Sequence, residues 1–196
     1  MSTDILDKPN ATQKATSKDT IQTINPSTGK PLDRYKMMTD QEASDAVQAT
    51  HNAFLEWKTF PLEKRAAFIQ KIGKSLAKHK EQLVKLMTEE MGKLISQGEQ
   101  EVDLCVGICE YTAQNGPKAL QDEKRTLPQG GKGVITYAPL GVIYGIQPWN
   151  FPTYQVMRYT IANLMAGNGV LLKHAENVTG SALLIEKIIS EAGLPE

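Results

Sequence analysis

Residues 146–152 read IQPWNFP, in which the single asparagine, Asn150, is set between two prolines, a tryptophan and a phenylalanine. Such an amide can donate to an oxygen on which negative charge develops, provided it is fixed before the charge appears. A core strand does not tolerate Pro148 or Pro152. The stretch is therefore either a tightly packed strand-to-helix connection or a donor braced for chemistry. Lys173 closes the short apolar run VLLK, and Glu176 follows it. This reads either as a ligand-binding strand end or as a solvated lysine ahead of a helix-capping carboxylate. Arg158 lies six residues after Pro152. Its guanidinium suits a substrate carboxylate through two parallel N–H donors, and it suits equally a surface pairing with a helix neighbour. Cys105 and Cys109 sit four apart on a probable helix, a spacing poor for a disulfide, and read as core residues. His51, His79 and His174 show no ligand spacing, so no metal is expected.

Elements must hold these groups. The turn signals of NPSTGKP imply a short strand and a reversal. Thr39 and Glu42 form a T-x-x-E capping box, followed by Ala43, Ala46, Val47, Ala53, Phe54 and Trp57 at helical spacing. Pro61 suits the first turn of a second helix with Leu62, Ala66, Ile69, Ile72 and Leu76 inward. The pattern resumes after a break near His79 with Leu83, Val84, Met87 and Met91. A further helix over about 96–114 carries Val102, Cys105, Ile108, Cys109 and Thr112 inside, and Asn115-Gly116-Pro117 is expected to stop it. Residues 118–132 read as loop. GVITYA and GVIYGI read as strands joined by Pro139-Leu140-Gly141, the second covered on both faces. Pro152 opens a helix with Val156, Met157, Ile161, Leu164 and Met165 inward, AGNG ends it, VLLK is a buried strand, and a last helix runs from about 178 to 192.

The order β-α-β-α from residue 141 is the opening of an open parallel α/β sheet. The expected fold class is thus α/β: a mainly helical part over 21–132, then a strand pair and the first β-α-β-α of a Rossmann-like sheet over 133–196, incomplete in this chain. With 196 residues, 40% hydrophobic and 22% charged, the chain has room for one domain or slightly more. Lys+Arg and Asp+Glu both number 22, so no net basic charge favours nucleic acid or acidic membranes. Residues 1–20 lack both a secretory apolar core and the arginines of a transit peptide. A flexible polar tail and a cytoplasmic location are expected.

The run APLGVIYGIQPWNFPTYQVMRYTIANLMAGNGVLLKHAENVTG resembles the cofactor domain of the aldehyde dehydrogenase superfamily. The resemblance extends back through NPSTGK, Trp57, Arg65, EEMGK and GEQEV. CEYTAQNGPKAL, NFPTYQVMR and LLKHAENVTG are most similar to succinate-semialdehyde dehydrogenases. It implies an NAD(P)-dependent oxidation in which a cysteine thiolate forms a thiohemiacetal with the aldehyde. Asn150 would donate to that oxyanion, and Pro148, Trp149, Phe151 and Pro152 would hold it. Gln147, Pro148 and Trp149 would line the nicotinamide end. Lys173, His174, Ala175 and Glu176 would form the cofactor segment, with Glu176 on a ribose hydroxyl and NAD preferred over NADP. His174 stands where the family commonly has proline. Arg158 would bind the far carboxylate of succinate semialdehyde. The family's nicotinamide-side glycine motif, glutamate base and nucleophilic cysteine motif are absent, so the chain is expected to be an amino-terminal piece, inactive alone, of an enzyme that is homo-oligomeric when complete. A non-catalytic nucleotide-binding or oligomerising remnant is the alternative.

Overall fold

The computed structural model describes residues 19–195. The tail expected over 1–20 thus lies outside the described residues as far as position 18, and Thr20 already belongs to a strand. β1 (Thr20–Ile24) and β2 (Pro31–Lys36) pair antiparallel. Asn25 Oδ1 accepts from the Ser27 and Thr28 amides to close the reversal between them.

α1 (Asp40–Trp57) opens on the expected capping box: Glu42 N donates to Thr39 Oγ1 at 3.1 Å, and Thr39 N donates to Glu42 Oε2 at 2.7 Å. Its apolar stripe is shorter than its spacing implied. Phe54 and Trp57 are buried while Ala43 and Val47 are exposed, because the last turns are the ones that reach the body of the fold. α2 (Leu62–Lys78) and α3 (Lys80–Met91) meet at His79, which leaves helical geometry at φ −98°, ψ 10°. α4 (Ile95–Ala119) runs through Asn115-Gly116-Pro117 instead of stopping there. Pro117 falls in the last turn, where it forfeits one i→i−4 bond, so the turn needs support from outside the helix. Gly116 is packed so closely on Met165 that a Cβ would meet its Cγ at 2.5 Å, so the neighbouring helix holds this turn.

The segment expected as loop also departs from its reading. β3 (Glu123–Thr126) pairs antiparallel with β4 (Lys132–Ile135), so the division placed at 132 falls inside a hairpin. Strand β4 is shorter than GVITYA and its partner is β3. The hairpin is exposed and charged, which leaves no apolar alternation by which to recognise it.

β5 (Val142–Gln147) and β6 (Gly169–His174) pair in parallel across α5 (Pro152–Ala166), and a 3-10 turn at Glu176–Val178 leads into α6 (Thr179–Ser190). The β-α-β-α order is as expected. β5, however, is covered on one face among the described residues: Gly145 is buried, while Tyr144 and Ile146 are 55% and 70% exposed. A Cβ at Gly145 would overlap the Tyr159 ring, so glycine lets α5 cross the strand closely.

The core is helix on helix, from Ile69, Ile72 and Leu76 through Met87, Val102 and Cys105 to Met157, Ile161 and Ile188. α5 is the helix shared between that core and the strand pair. Its carboxyl end is fastened by Trp57 Nε1 to Leu164 O at 2.9 Å and by Arg65 Nη1 to Met165 O at 3.2 Å. A guanidinium there also complements the negative end of the helix dipole.

Candidate functional site

The last register pairs of the parallel strands are Ile146 with Lys173 and Gln147 with His174. The Asn150 loop and the 173–176 segment therefore leave the sheet side by side at its carboxyl edge, the edge where open α/β sheets bind ligands. Pro148, Trp149, Asn150 and Phe151 are exposed, and Gln147 and Ala175 are half-buried. Pro152 is the first residue of α5, its ring presetting helical φ, so the loop ends in a stiff joint. Lys173 and Glu176 are exposed, with Nζ 3.9 Å from Oε1. An exposed pair at that distance adds little stability and leaves both side chains open to a ligand.

His174 differs from its expected role as a cofactor contact. Its ring is buried, Nε2 lies 2.9 Å from Pro152 O, and Ala175 N donates to Nδ1 at 2.8 Å. Accepting at Nδ1 puts the proton on Nε2, which donates to the Pro152 carbonyl. Burial, more than the Lys173 charge, lowers its pKa from the usual 6.5 against the raising effects of the Pro152 bond and Glu101. The imidazole is a neutral tie between β6 and the start of α5. Arg158 is exposed on α5 with its guanidinium 5.6 Å from the Tyr154 ring centroid, the helix-neighbour contact that was one of its two readings.

Three residues under the site carried no role in the sequence reading. Glu101 of α4, 3% exposed, accepts through Oε1 from Thr153 N at 2.8 Å and Tyr154 N at 2.9 Å. Phe151, the N-cap position of α5, makes no side-chain cap of its own, so Glu101 caps that helix from α4. Lys93 pairs with Glu101 Oε2, both buried, and its Nζ lies 3.9 Å from the Phe151 ring centroid. Glu90 does the same for α6, accepting from Gly180 N, Ser181 N and Ser181 Oγ at 2.7–2.9 Å. Burial raises the Glu90 pKa in spite of those bonds, which lower it. All three lie in EEMGK and GEQEV. The available signal was a charge on an apolar stripe: Glu90 continues Leu83 and Met87, and Glu101 precedes Cys105 by one turn.

Cys105 and Cys109 are fully buried in the core. Burial pushes the Cys109 thiol up to about 12 and the Cys105 thiol higher still, so neither offers a thiolate at neutral pH. No group of three or more His, Cys, Asp or Glu among the described residues is placed to hold a metal ion. No helix among them is long and apolar enough to cross a membrane. A cleft of about 630 Å³ beside α2, α3 and α4, ringed by lysines and glutamates of both charges, shares no residue with the strand-end site.

Known proteins match this chain in sequence and in fold. The aldehyde dehydrogenase family profile matches residues 12–196. An NAD(P)+ succinate semialdehyde dehydrogenase, Sad, of Escherichia coli K12 is 40% identical over 173 residues, covering 88% of this chain and 37% of the relative. An NADP(+) succinate-semialdehyde dehydrogenase of Deinococcus radiodurans is 37% identical over 174 residues, covering 89% and 36%. Among solved structures, the succinic semialdehyde dehydrogenase of Streptococcus pyogenes in complex with NADP+ superimposes with a TM-score of 0.84 at 34% identity, over 88% of this chain and 38% of that one. The chain thus spans well under half the length of these relatives.

Proposed function

The chain belongs to the aldehyde dehydrogenase family, and from that premise we propose that it is the amino-terminal part of an NAD(P)-dependent aldehyde dehydrogenase acting on succinate semialdehyde. The observation that carries this reading is the meeting of the Asn150 loop with the Lys173–Glu176 segment at one sheet edge. Asn150 donates its amide to the oxyanion formed when a thiolate adds to the aldehyde. Its contribution is preorganisation: the amide is held in place before the charge appears. Phe151 and Trp149 flank it and Pro152 fixes its exit.

The strand ends fit a dinucleotide in chemistry. Lys173 offers an exposed cation and Glu176 an exposed acceptor at the carboxyl edge of parallel strands. Lys173, Ala175 and Glu176 would hold the ribose side, and the backbone of Gln147, Pro148 and Trp149 the nicotinamide side. When bound, the dinucleotide supplies the hydride acceptor. A carboxylate at Glu176 favours a ribose hydroxyl over a phosphate. That argument for NAD preference has no support from the relatives, whose names carry NADP(+) or NAD(P)+. The cofactor class proposed is therefore NAD(P) without preference.

The test uses a full-length aldehyde dehydrogenase that carries this segment, assayed on succinate semialdehyde with each dinucleotide. Asn150→Ala should lower kcat by on the order of 10²–10³. The 196-residue chain alone should give no reduced dinucleotide, because its two thiols are buried and protonated. An unchanged kcat in Asn150→Ala would remove Asn150 from the chemistry.

A further inference from the structure

The residues that follow Asn150 are gripped by side chains from α4, from β6 and from the connection between α3 and α4. Phe151 carries the Lys93 ammonium against its ring, the Pro152 carbonyl accepts from His174, and the Thr153 and Tyr154 amides donate to Glu101. Lys93 and Glu101 are joined to each other, with side chains 5% and 1% exposed. We propose that the buried Lys93–Glu101 pair positions Asn150 for catalysis. This rests on the reading of Asn150 as the oxyanion donor.

A donor amide stabilises developing charge when its placement is fixed, and displacement by about 1 Å costs on the order of 10²-fold in rate. Asn150 stands two residues before Pro152 and has no regular element of its own. Its placement is inherited from the first turn of α5. That turn lacks an N-cap side chain, and its amides are satisfied by Glu101 alone among the side chains that reach them. A bare carboxylate buried at that helix start would be costly and would carry negative charge towards an oxyanion site. The Lys93 ammonium on Oε2 cancels the charge and at the same time presses on Phe151, the residue bonded to Asn150. Neither side chain reaches the exposed face on which the aldehyde would lie, so both are positioning residues.

The prediction is a double-mutant cycle in a full-length enzyme carrying this segment. Glu101→Gln keeps the shape and removes the charge. It should lower kcat about tenfold or more while KM for the dinucleotide stays within about twofold. Combined with Asn150→Ala, it should lower kcat no further than Asn150→Ala alone, because a misplaced donor and a missing donor are equivalent. If Glu101→Gln does not accumulate as folded protein, Lys93→Gln reads the same cycle. A loss of equal factor in both backgrounds would mean a general structural defect and overturns the proposal, as does an unaltered kcat. Asn150→Ala with unaltered kcat is a different result: it removes the oxyanion reading on which the pair depends.

Discussion

At the scale of single residues, charge decides most of what the site can do. A guanidinium distinguishes a carboxylated aldehyde from a plain one because it offers two parallel donors as well as a charge. Arg158 is exposed on α5, with its guanidinium 5.6 Å from the Tyr154 ring centroid. Replacing it with alanine in a full-length enzyme should raise KM for succinate semialdehyde at least about tenfold, the loss of one charged hydrogen-bonded contact, and should leave butanal nearly unaffected. Equal losses on the two aldehydes would mark Arg158 as a surface residue paired with its helix neighbour. The strand-to-helix connection around Asn150 was legible in the sequence because its prolines are a local feature. Glu101 was visible as a charge on a buried stripe, yet its partners lie 8 to 53 positions away in sequence. No spacing rule connects an α4 carboxylate to the amides of α5. His174 failed for a related reason, since its place at a strand end did not tell which way the ring turns.

At the scale of elements, α5 is the member on which everything else is set, held by Glu101 at one end and by Trp57 and Arg65 at the other. His174 ties its first turn to β6 through Nε2, while Nδ1 accepts from Ala175 N only when the ring is neutral. Burial lowers the histidine pKa below 6.5, so on acidification the unfolded chain takes up this proton first. The stabilisation is complete above about the unfolded value of 6.5 and is lost as pH falls through it towards the folded value. Urea midpoints measured from pH 8 to pH 5 should therefore fall, and part of the fall should disappear in His174→Gln, which keeps a donor for Pro152 O but does not titrate. An identical decline in both proteins would place the sensitivity elsewhere. The helices and the β-α-β order were readable from periodicity and from Pro152 and Gly167, whose backbone requirements are local. The β3–β4 hairpin was not, because an exposed charged hairpin has no apolar face to register. The end of α4 was misjudged because contact with Met165, a tertiary effect, holds the turn containing Pro117.

At the scale of the whole molecule, the balance of covered and uncovered apolar surface sets behaviour in solution. Leu140, Tyr144, Ile146, Trp149 and Phe151 are each 47–88% exposed, all within residues 140–151. The strand pair they border has only two members, so β5 and β6 each keep one unpaired edge among the described residues. Unpaired edges next to a contiguous apolar face are templates for association. The helical core, by contrast, is closed, with Ile69, Ile72, Leu83, Met87, Met157 and Ile161 fully buried. The core was legible from stripes in the sequence, whereas an uncovered face on β5 was not, because a continuous apolar run reads as a strand buried on both sides. A closed core beside an open face predicts a chain that folds and then self-associates. Light scattering on the purified 196-residue chain should report a mass above that of a monomer, rising with concentration. Tyr144→Lys with Ile146→Lys places two charges on the exposed face without touching the core, and should return the chain to a monomer with near-UV circular dichroism unchanged. A wild-type chain that is monomeric and unfolds in one sharp transition would show that this face needs no cover. Association that persists in the lysine variant would instead locate the contact at the β3–β4 hairpin, where Val134, Ile135 and Tyr137 are also exposed.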